Sequence, residues 1–479
     1  MSDDNRPNIL VIFSDTHGAW ATGCYGSDVA VTPHIDRLAS EGIVFDRAYS
    51  QNPLCVPSRQ SMITGKYSCQ TGVLQNDTPM PRLYTIADHL SLVGYETAAL
   101  GKMHFIPDTE CSLGKERHQG FARRIDYEEF WWYLRNERGF APLEGFPDDP
   151  WRIVHLEKAQ HALQWPKVAT PGGMKPNALF GTWGTLPHED HQEAMVLREW
   201  RRFLSEKRER SFLAFVSFQS PHPPLIPPPE FLDLHRGAIP LPLPVGDDIR
   251  RHPIWGKRVH GADDRRRAEY LRHYYAFVSY MDWCVGEVLR MLDEAGLRDR
   301  TLAVYLSDHG DMGFRHGMTG KTVFYEESVR VPLIVRTPDG IGAGRRHTGL
   351  VELLDIFPTF CETAGVAPPP ELPGRSLWKD QLSGRDGGKE TVFSESYPMR
   401  RNAVVFGPRP HRMVLTDRWK LIQYGDICVD LFDVTTDPAN NHNLAPDPLR
   451  HHTVEELLDR LDRRLGPLPS GLIVPRRES

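Results

Sequence analysis

Short, fully apolar runs recur along the first three quarters of this chain, separated by segments of helical period. Asn8–Phe13, Phe212–Phe218 and Thr301–Ser307 show almost none of the polar alternation of a half-exposed strand. A strand that is apolar on both faces is covered on both faces, as in a largely parallel sheet. Glu96–Leu100 and Val331–Arg336 extend the series. Helical spacing falls between the runs, at Thr32–Glu41, Thr85–Val93, His191–Ser205 and Ala268–Ala295. The expected class is therefore α/β, a central sheet flanked by helices.

The tail has a different texture. Thr391–Ser396, His411–Leu415, Trp419–Tyr424 and Val429–Asp433 are short strand-like runs joined by turn residues, followed by a helical pattern at Val454–Leu465. This predicts a small antiparallel sheet with one helix. A Pro-rich link (Pro368, Pro369, Pro370, Pro373) places the boundary near 375, giving a catalytic-sized unit over 1–375 and a smaller α+β unit over 376–479. Residues 105–190 keep no clean period and carry Trp131, Trp132, Tyr133, Trp151, Trp165 and Trp183. An irregular insertion of that length is either a wall around a site or decoration held by aromatic packing.

A formal net charge of −6 gives no basic excess for nucleic acid. No apolar stretch is long enough to span a membrane, and Met1–Phe13 lacks the pattern of a signal peptide. The seven cysteines are scattered without disulfide or metal-finger spacing, which fits reduced thiols in the cytoplasm.

Chemistry-bearing residues gather where strands end. Asp15 follows the first strand, and Asp308-His309 follow Thr301–Ser307. Carboxylates at the C-terminal ends of sheet strands collect at the active edge of an α/β fold. Two of them with a histidine suit one hard divalent cation: calcium first, magnesium or manganese as alternatives. Elsewhere, Cys55-Val56-Pro57-Ser58-Arg59 runs on into Thr64-Gly65. Taken alone, it reads equally as a turn around a small buried cysteine.

That stretch resembles the maturation signature of the type I, formylglycine-dependent sulfatases of the alkaline phosphatase superfamily. The likeness extends through Thr32-Pro33-His34-Ile35-Asp36, Gly101-Lys102-Met103-His104, Asp308-His309-Gly310-Asp311 and Leu431-Phe432-Asp433. It implies an alkaline-phosphatase-like fold and oxidation of Cys55 to formylglycine by a formylglycine-generating enzyme. The hydrated aldehyde would be the nucleophile, and its second hydroxyl lets sulfate leave by elimination. By the same resemblance Asp15, Cys55, Asp308 and His309 form the metal set, and Arg59 holds the hydrate. Lys102 and Lys321 would bind sulfate oxygens. His104 would be the base that triggers elimination, and His222 would protonate the leaving oxygen. Asn76 would touch the transferred group.

Where many sulfatases carry a second aspartate after the first strand, this chain has Thr16. That is similar to the single-Asp branches, which include choline sulfatases and phosphonate monoester hydrolases. The phosphonate branch resembles tyrosine and threonine at the positions of Lys102 and His104, so this pair favours a small sulfate ester (sugar, aryl or alkyl) as substrate. A phosphonate monoester or phosphodiester hydrolase with the same nucleophile is the alternative, and a non-catalytic metal- and anion-binding relative a further one. Homo-oligomers occur in the single-Asp branches, so the tail Pro467–Ser479 could reach a neighbouring copy.

Overall fold

The computed structural model describes residues 6–104, 119–125 and 191–468, apart from short stretches at 77, 79–80, 207–209, 224, 226, 244–245, 257–258, 260, 379–386 and 398–409. Apart from residues 119–125, the aromatic-rich insertion over 105–190 and the last residues of the tail lie outside the described residues.

Eight strands form one sheet: β1 (Asn8–Ser14), β2 (Ile43–Tyr49), β3 (Glu96–Gly101), β4 (Arg123–Ile125), β5 (Phe212–Ser217), β6 (Thr301–Ser307), β7 (Leu333–Arg336) and β8 (Arg345–Glu352). Their order is β4-β3-β5-β1-β6-β7-β2-β8. All run the same way except β7, which is antiparallel to both neighbours. The strand β1 is central, in register with β5 on one side (Phe13 opposite Ser217) and β6 on the other (Ser14 opposite Ser307).

Alternation of side chains across these strands feeds two separate apolar layers. Leu10 and Ile12 of β1 face a layer built with α1 (Pro33–Glu41), α4 (Gln192–Ser205) and the long α5 (Asp264–Glu294). Ile9, Val11 and Phe13 face the other layer, with α2 (Cys55–Thr64), α3 (Ile86–Ser91) and α6 (Ile356–Thr363). The expected helix-covered sheet is thus present. Asp282, in the middle of α5, accepts hydrogen bonds from the backbone N–H groups of His34 and Ile35 at 3.2 and 2.7 Å. One helix of this layer therefore caps another, an interaction that no local sequence pattern announces.

The second sheet is antiparallel, in the order β12-β11-β10-β9, from β9 (Val392–Ser396), β10 (His411–Leu415), β11 (Trp419–Tyr424) and β12 (Cys428–Asp433). Met413 and Leu415 pack on Trp255, Met318 and Tyr325, whereas Val414 on the opposite face packs with Leu457 and Leu461 of α7 (His451–Leu465).

A buried ion cluster joins this sheet to the larger one. The ammonium of Lys389 lies against Glu352, at the end of β8, and 2.6 Å from Asp355. Glu352 also accepts from the Tyr67 hydroxyl at 2.8 Å and from the Phe393 N–H at 3.0 Å. Removing the single cation leaves two buried carboxylates uncompensated. Lys389→Met should therefore cost about 3–5 kcal/mol, read as a fall in the denaturant midpoint. A loss below about 1 kcal/mol would contradict this account.

Among the described residues, no helix is long and apolar enough to cross a membrane.

Candidate active site

Four neighbouring parallel strands, in the order β3-β5-β1-β6, end on the same edge of the sheet. Each delivers charged or titratable groups there. Lys102 follows β3, the turn carrying His222 follows β5, Asp15 follows β1, and Asp308-His309 follow β6. Because Ser14 and Ser307 are in register, the two aspartates are neighbours despite their distance along the chain.

Cys55 enters from the other direction, as the first residue of α2. Pro57 is tolerated because the first turn of a helix has no intrahelical use for its missing N–H. Every residue of α2 is buried, so its sequence carries no amphipathic stripe. The motif is thus a helix start, not the isolated turn that its composition also allows.

At that start the thiol is surrounded. Its sulfur lies 2.7 Å from the Lys321 ammonium, 3.2 Å from His309 Nε2 and 3.9 Å from Asp15 Oδ1. Burial and Asp15 oppose its ionisation, yet Lys321, His309 and a hydrogen bond from His104 outweigh them and hold it well below the usual thiol range.

Arg59, one turn further along α2, is fully buried and ties the acids together. Its Nε donates to Asp308 at 2.8 Å, its Nη2 to Asp15 at 3.1 Å, and its Nη1 to the Lys102 carbonyl and the Ser217 hydroxyl. The guanidinium also sits 4.3 Å from the ring centre of Phe13. Lys102 adds a second ion pair to Asp15, at 2.7 Å. Burial alone would raise the Asp15 pKa, but Lys102, His222, Lys321 and Arg59 hold it well below the carboxylate range. Asp308 goes the other way: burial and the charge of Asp15 raise it against His309 and Arg59.

Asp15, Asp308, His309 and the side chain at position 55 offer ligand atoms that all lie within 4.8 Å of one another, and all four residues are buried. Two carboxylates, one imidazole and a fourth donor fit one divalent ion. The Cys55 sulfur stands where the resemblance puts a hydroxyl of the hydrated aldehyde. Thr16 does not join this set. Its hydroxyl donates to Asp15 at 2.6 Å and its N–H to Asp308 at 3.0 Å, so it orients the carboxylates.

The other expected residues are also brought here, with two changes. Lys102 and His104 do not share a strand face as their spacing suggests, because β3 ends at Gly101. They sit in the following turn, where His104 has φ 51°. Asn76 approaches through its carboxamide oxygen, which accepts from the Val56 N–H at 3.0 Å and so anchors the start of α2. His222 is partly buried, with Nδ1 on the Pro223 carbonyl. Burial, then Lys102 and Lys321, push its pKa down to about 4.

One contributor carries no signal in the sequence. Glu193 in the first turn of α4 looks like an ordinary solvated acid, yet it is buried and accepts from the Ser220 hydroxyl at 2.6 Å and the Ser220 N–H at 3.2 Å. It fixes the turn that presents His222. No local signal distinguishes it from any other acid near a helix start.

Comparison with known proteins agrees with this geometry. The model of the sulfatase family matches residues 7–366. A second model, for the C-terminal part of N-sulphoglucosamine sulphohydrolase, matches residues 314–465. An N-acetylglucosamine-6-O-sulfatase of Bacteroides thetaiotaomicron is 28% identical over 92% of this chain and 83% of its own length. A choline-sulfatase of Rhizobium meliloti is 27% identical over the same shares. The solved phosphonate monoester hydrolase of Agrobacterium radiobacter superposes with a TM-score of 0.78 over 95% of both chains at 24% identity, a likeness of fold.

Proposed function

The chain belongs to the sulfatase family and is a sulfuric ester hydrolase, and from that premise we propose that it cleaves a sulfate monoester with a formylglycine at position 55 and one divalent cation, calcium first among the candidates. The observation that carries this reading is the placement of the Cys55 side chain inside a buried set of Asp15, Asp308 and His309, with the Lys321 ammonium 2.7 Å away. A thiol with a purely structural role has no use for such surroundings.

Bound there, the cation supplies Lewis-acid polarisation of the sulfate and of its attacker. The remaining work falls to the chain itself. Lys102 and Lys321 flank position 55 and Asp15, and they would take the sulfate oxygens, whose charge must be neutralised before a nucleophile can approach. Arg59 favours the charged forms of Asp15 and Asp308 and fixes their orientation. His222 is the proton donor to the departing alcohol oxygen. Burial and the two lysines hold it neutral, and an anion bound to those lysines would offset their charge and favour its protonated form. His104, hydrogen-bonded to the side chain at 55, is the base for the second half-reaction.

The alcohol is proposed to be a sugar, an amino sugar first, as in the names of the N-acetylglucosamine-6-O-sulfatase relative and of the C-terminal family. Cleavage of a phosphonate monoester is the second reading, favoured by the fold likeness. Lys102 and His104 at the site argue for sulfate over it. Maturation requires a formylglycine-generating enzyme as a partner. The six described cysteines are free, which suits a reducing compartment such as the cytoplasm.

Two measurements test the reading together. The mass of the tryptic peptide Ala48–Arg59, from protein made with a formylglycine-generating system, should show the aldehyde at position 55. The same protein should hydrolyse sugar or aryl sulfates faster than phosphonate monoesters. An unmodified thiol despite active maturation would sink the mechanism, and a preference for phosphonates would replace the substrate class.

A further inference from the structure

Lys321 reaches the site from a loop with an unusual backbone. Between Asp311 and Thr322, six residues have positive φ: Gly313, Phe314, His316, Gly317, Gly320 and Thr322. Phe314, His316 and Thr322 carry side chains, and each such conformation costs roughly 1 kcal/mol or more. A loop of this kind holds one shape only when it is fastened.

The fastening is a single buried carboxylate. Asp311 Oδ1 accepts the Gly313 N–H at 2.8 Å, and Oδ2 accepts the Gly320 N–H at 3.0 Å. The Tyr270 hydroxyl, from α5, lies 3.0 Å from both oxygens. Beside them the Met312 N–H donates to the Gly320 carbonyl at 2.8 Å and closes the neck of the loop. The Trp20 indole pins the Asp311 carbonyl at 2.9 Å. Lys321 is the residue immediately after this neck.

We propose that Asp311 and Tyr270 are positioning residues for the sulfate-binding lysine: by clasping the two ends of the 311–320 loop they hold the Lys321 ammonium against position 55. This rests on the reading of Lys321 as an anion-binding group. Neither residue touches the substrate. A carboxylate is needed because both of its oxygens accept an N–H. In Asp311→Asn one of those N–H groups would face an amide NH2, which cannot accept. Tyr270→Phe removes only the hydroxyl from the other side.

The test is a double-mutant cycle read in two ways: kcat/KM on a sulfate ester, and calorimetric affinity for inorganic sulfate. Tyr270→Phe is expected to lower kcat/KM by about 10-fold and Asp311→Asn by about 100-fold, the scale of a small misplacement of a catalytic group. Sulfate affinity should fall with each. In a Lys321→Ala background the same substitutions should change either quantity by less than about 2-fold, because the group they position is gone. Equal fold losses in both backgrounds would mean general structural damage and overturn the proposal, as would unchanged kinetics and sulfate affinity in Tyr270→Phe. If Asp311→Asn does not fold, Tyr270→Phe decides alone. If the wild-type chain hydrolyses no sulfate ester, the functional reading fails, and the sulfate-binding cycle still decides whether the clasp positions Lys321.

Discussion

Cys55→Ala is expected to abolish hydrolysis of every sulfate ester that the matured chain turns over, by roughly 1,000-fold or more, while changing folding stability by about 1 kcal/mol or less. The asymmetry follows from what position 55 does. Its side chain fills little space at the start of α2, but in the proposed mechanism it carries the reacting atom and is one of four donors around the proposed ion. Cys55→Ser is the sharper variant. Unconverted, it places an oxygen at the same position, still flanked by Lys321 and His309, yet offers only one hydroxyl. A serine that attacks has no internal way to expel sulfate. This variant should therefore gain the mass of one sulfo group on the peptide Ala48–Arg59 and then stall. Steady turnover by Cys55→Ser at more than about 1% of the matured rate would show that the two hydroxyls are not required.

The second large effect concerns Arg59. Its guanidinium is fully buried and serves Asp15, Asp308, the Lys102 carbonyl and the Ser217 hydroxyl at once. Arg59→Met keeps much of the volume and removes the charge, leaving Asp15 to Lys102 and Lys321 and depriving Asp308 of its guanidinium partner. The expected cost is about 3–5 kcal/mol of stability, the usual result of breaking a buried pair on one side. Arg59→Lys should recover only part of it, since a point-like ammonium cannot reach both acids in the fixed fork that arginine presents. A divalent cation placed among the same carboxylates would supply some of the missing charge, so added calcium should raise the midpoint of Arg59→Met more than that of the wild type. Denaturant titrations of the three proteins, with and without the ion, measure this. A Met variant within about 1 kcal/mol of the wild type would refute the account of the buried acids.

The sequence disclosed the parts of the site that follow from strand ends. The runs Asn8–Phe13 and Thr301–Ser307 are apolar enough to demand a buried sheet, and the first polar residues beyond them are where function collects. The strands β2 and β8 do not stand out in the sequence, because Asp46 and Arg47 interrupt one and Arg345 and Arg346 open the other, so neither has the look of a core strand. The helix α2 was hidden for the opposite reason: buried all round, it has no period to detect. The loop after β3 shows a further limit. Spacing of two suggests a shared strand face, but Gly101 ends the strand, and φ at His104 then aims the imidazole. Glu193 holds Ser220, 27 residues away in sequence, and Asp311, besides the nearby Gly313 and Gly320 N–H groups, meets Tyr270 41 residues away. Such long-range partners leave no trace in local composition.

The central place of β1 bears on timing. This strand is made first, yet its neighbours β5 and β6 arrive from far along the chain, and His309 lies 254 residues beyond Cys55. At roughly 5–20 residues per second, a ribosome needs some tens of seconds to travel that distance. Throughout that interval β6 is missing from the catalytic edge, and the proposed maturation would have its window on the segment around Cys55. Once β6 docks, Cys55 is 1% exposed and out of reach. On the proposed maturation of Cys55, synthesis rate sets a clock, and a slower-translated message should yield a larger converted fraction of otherwise identical protein.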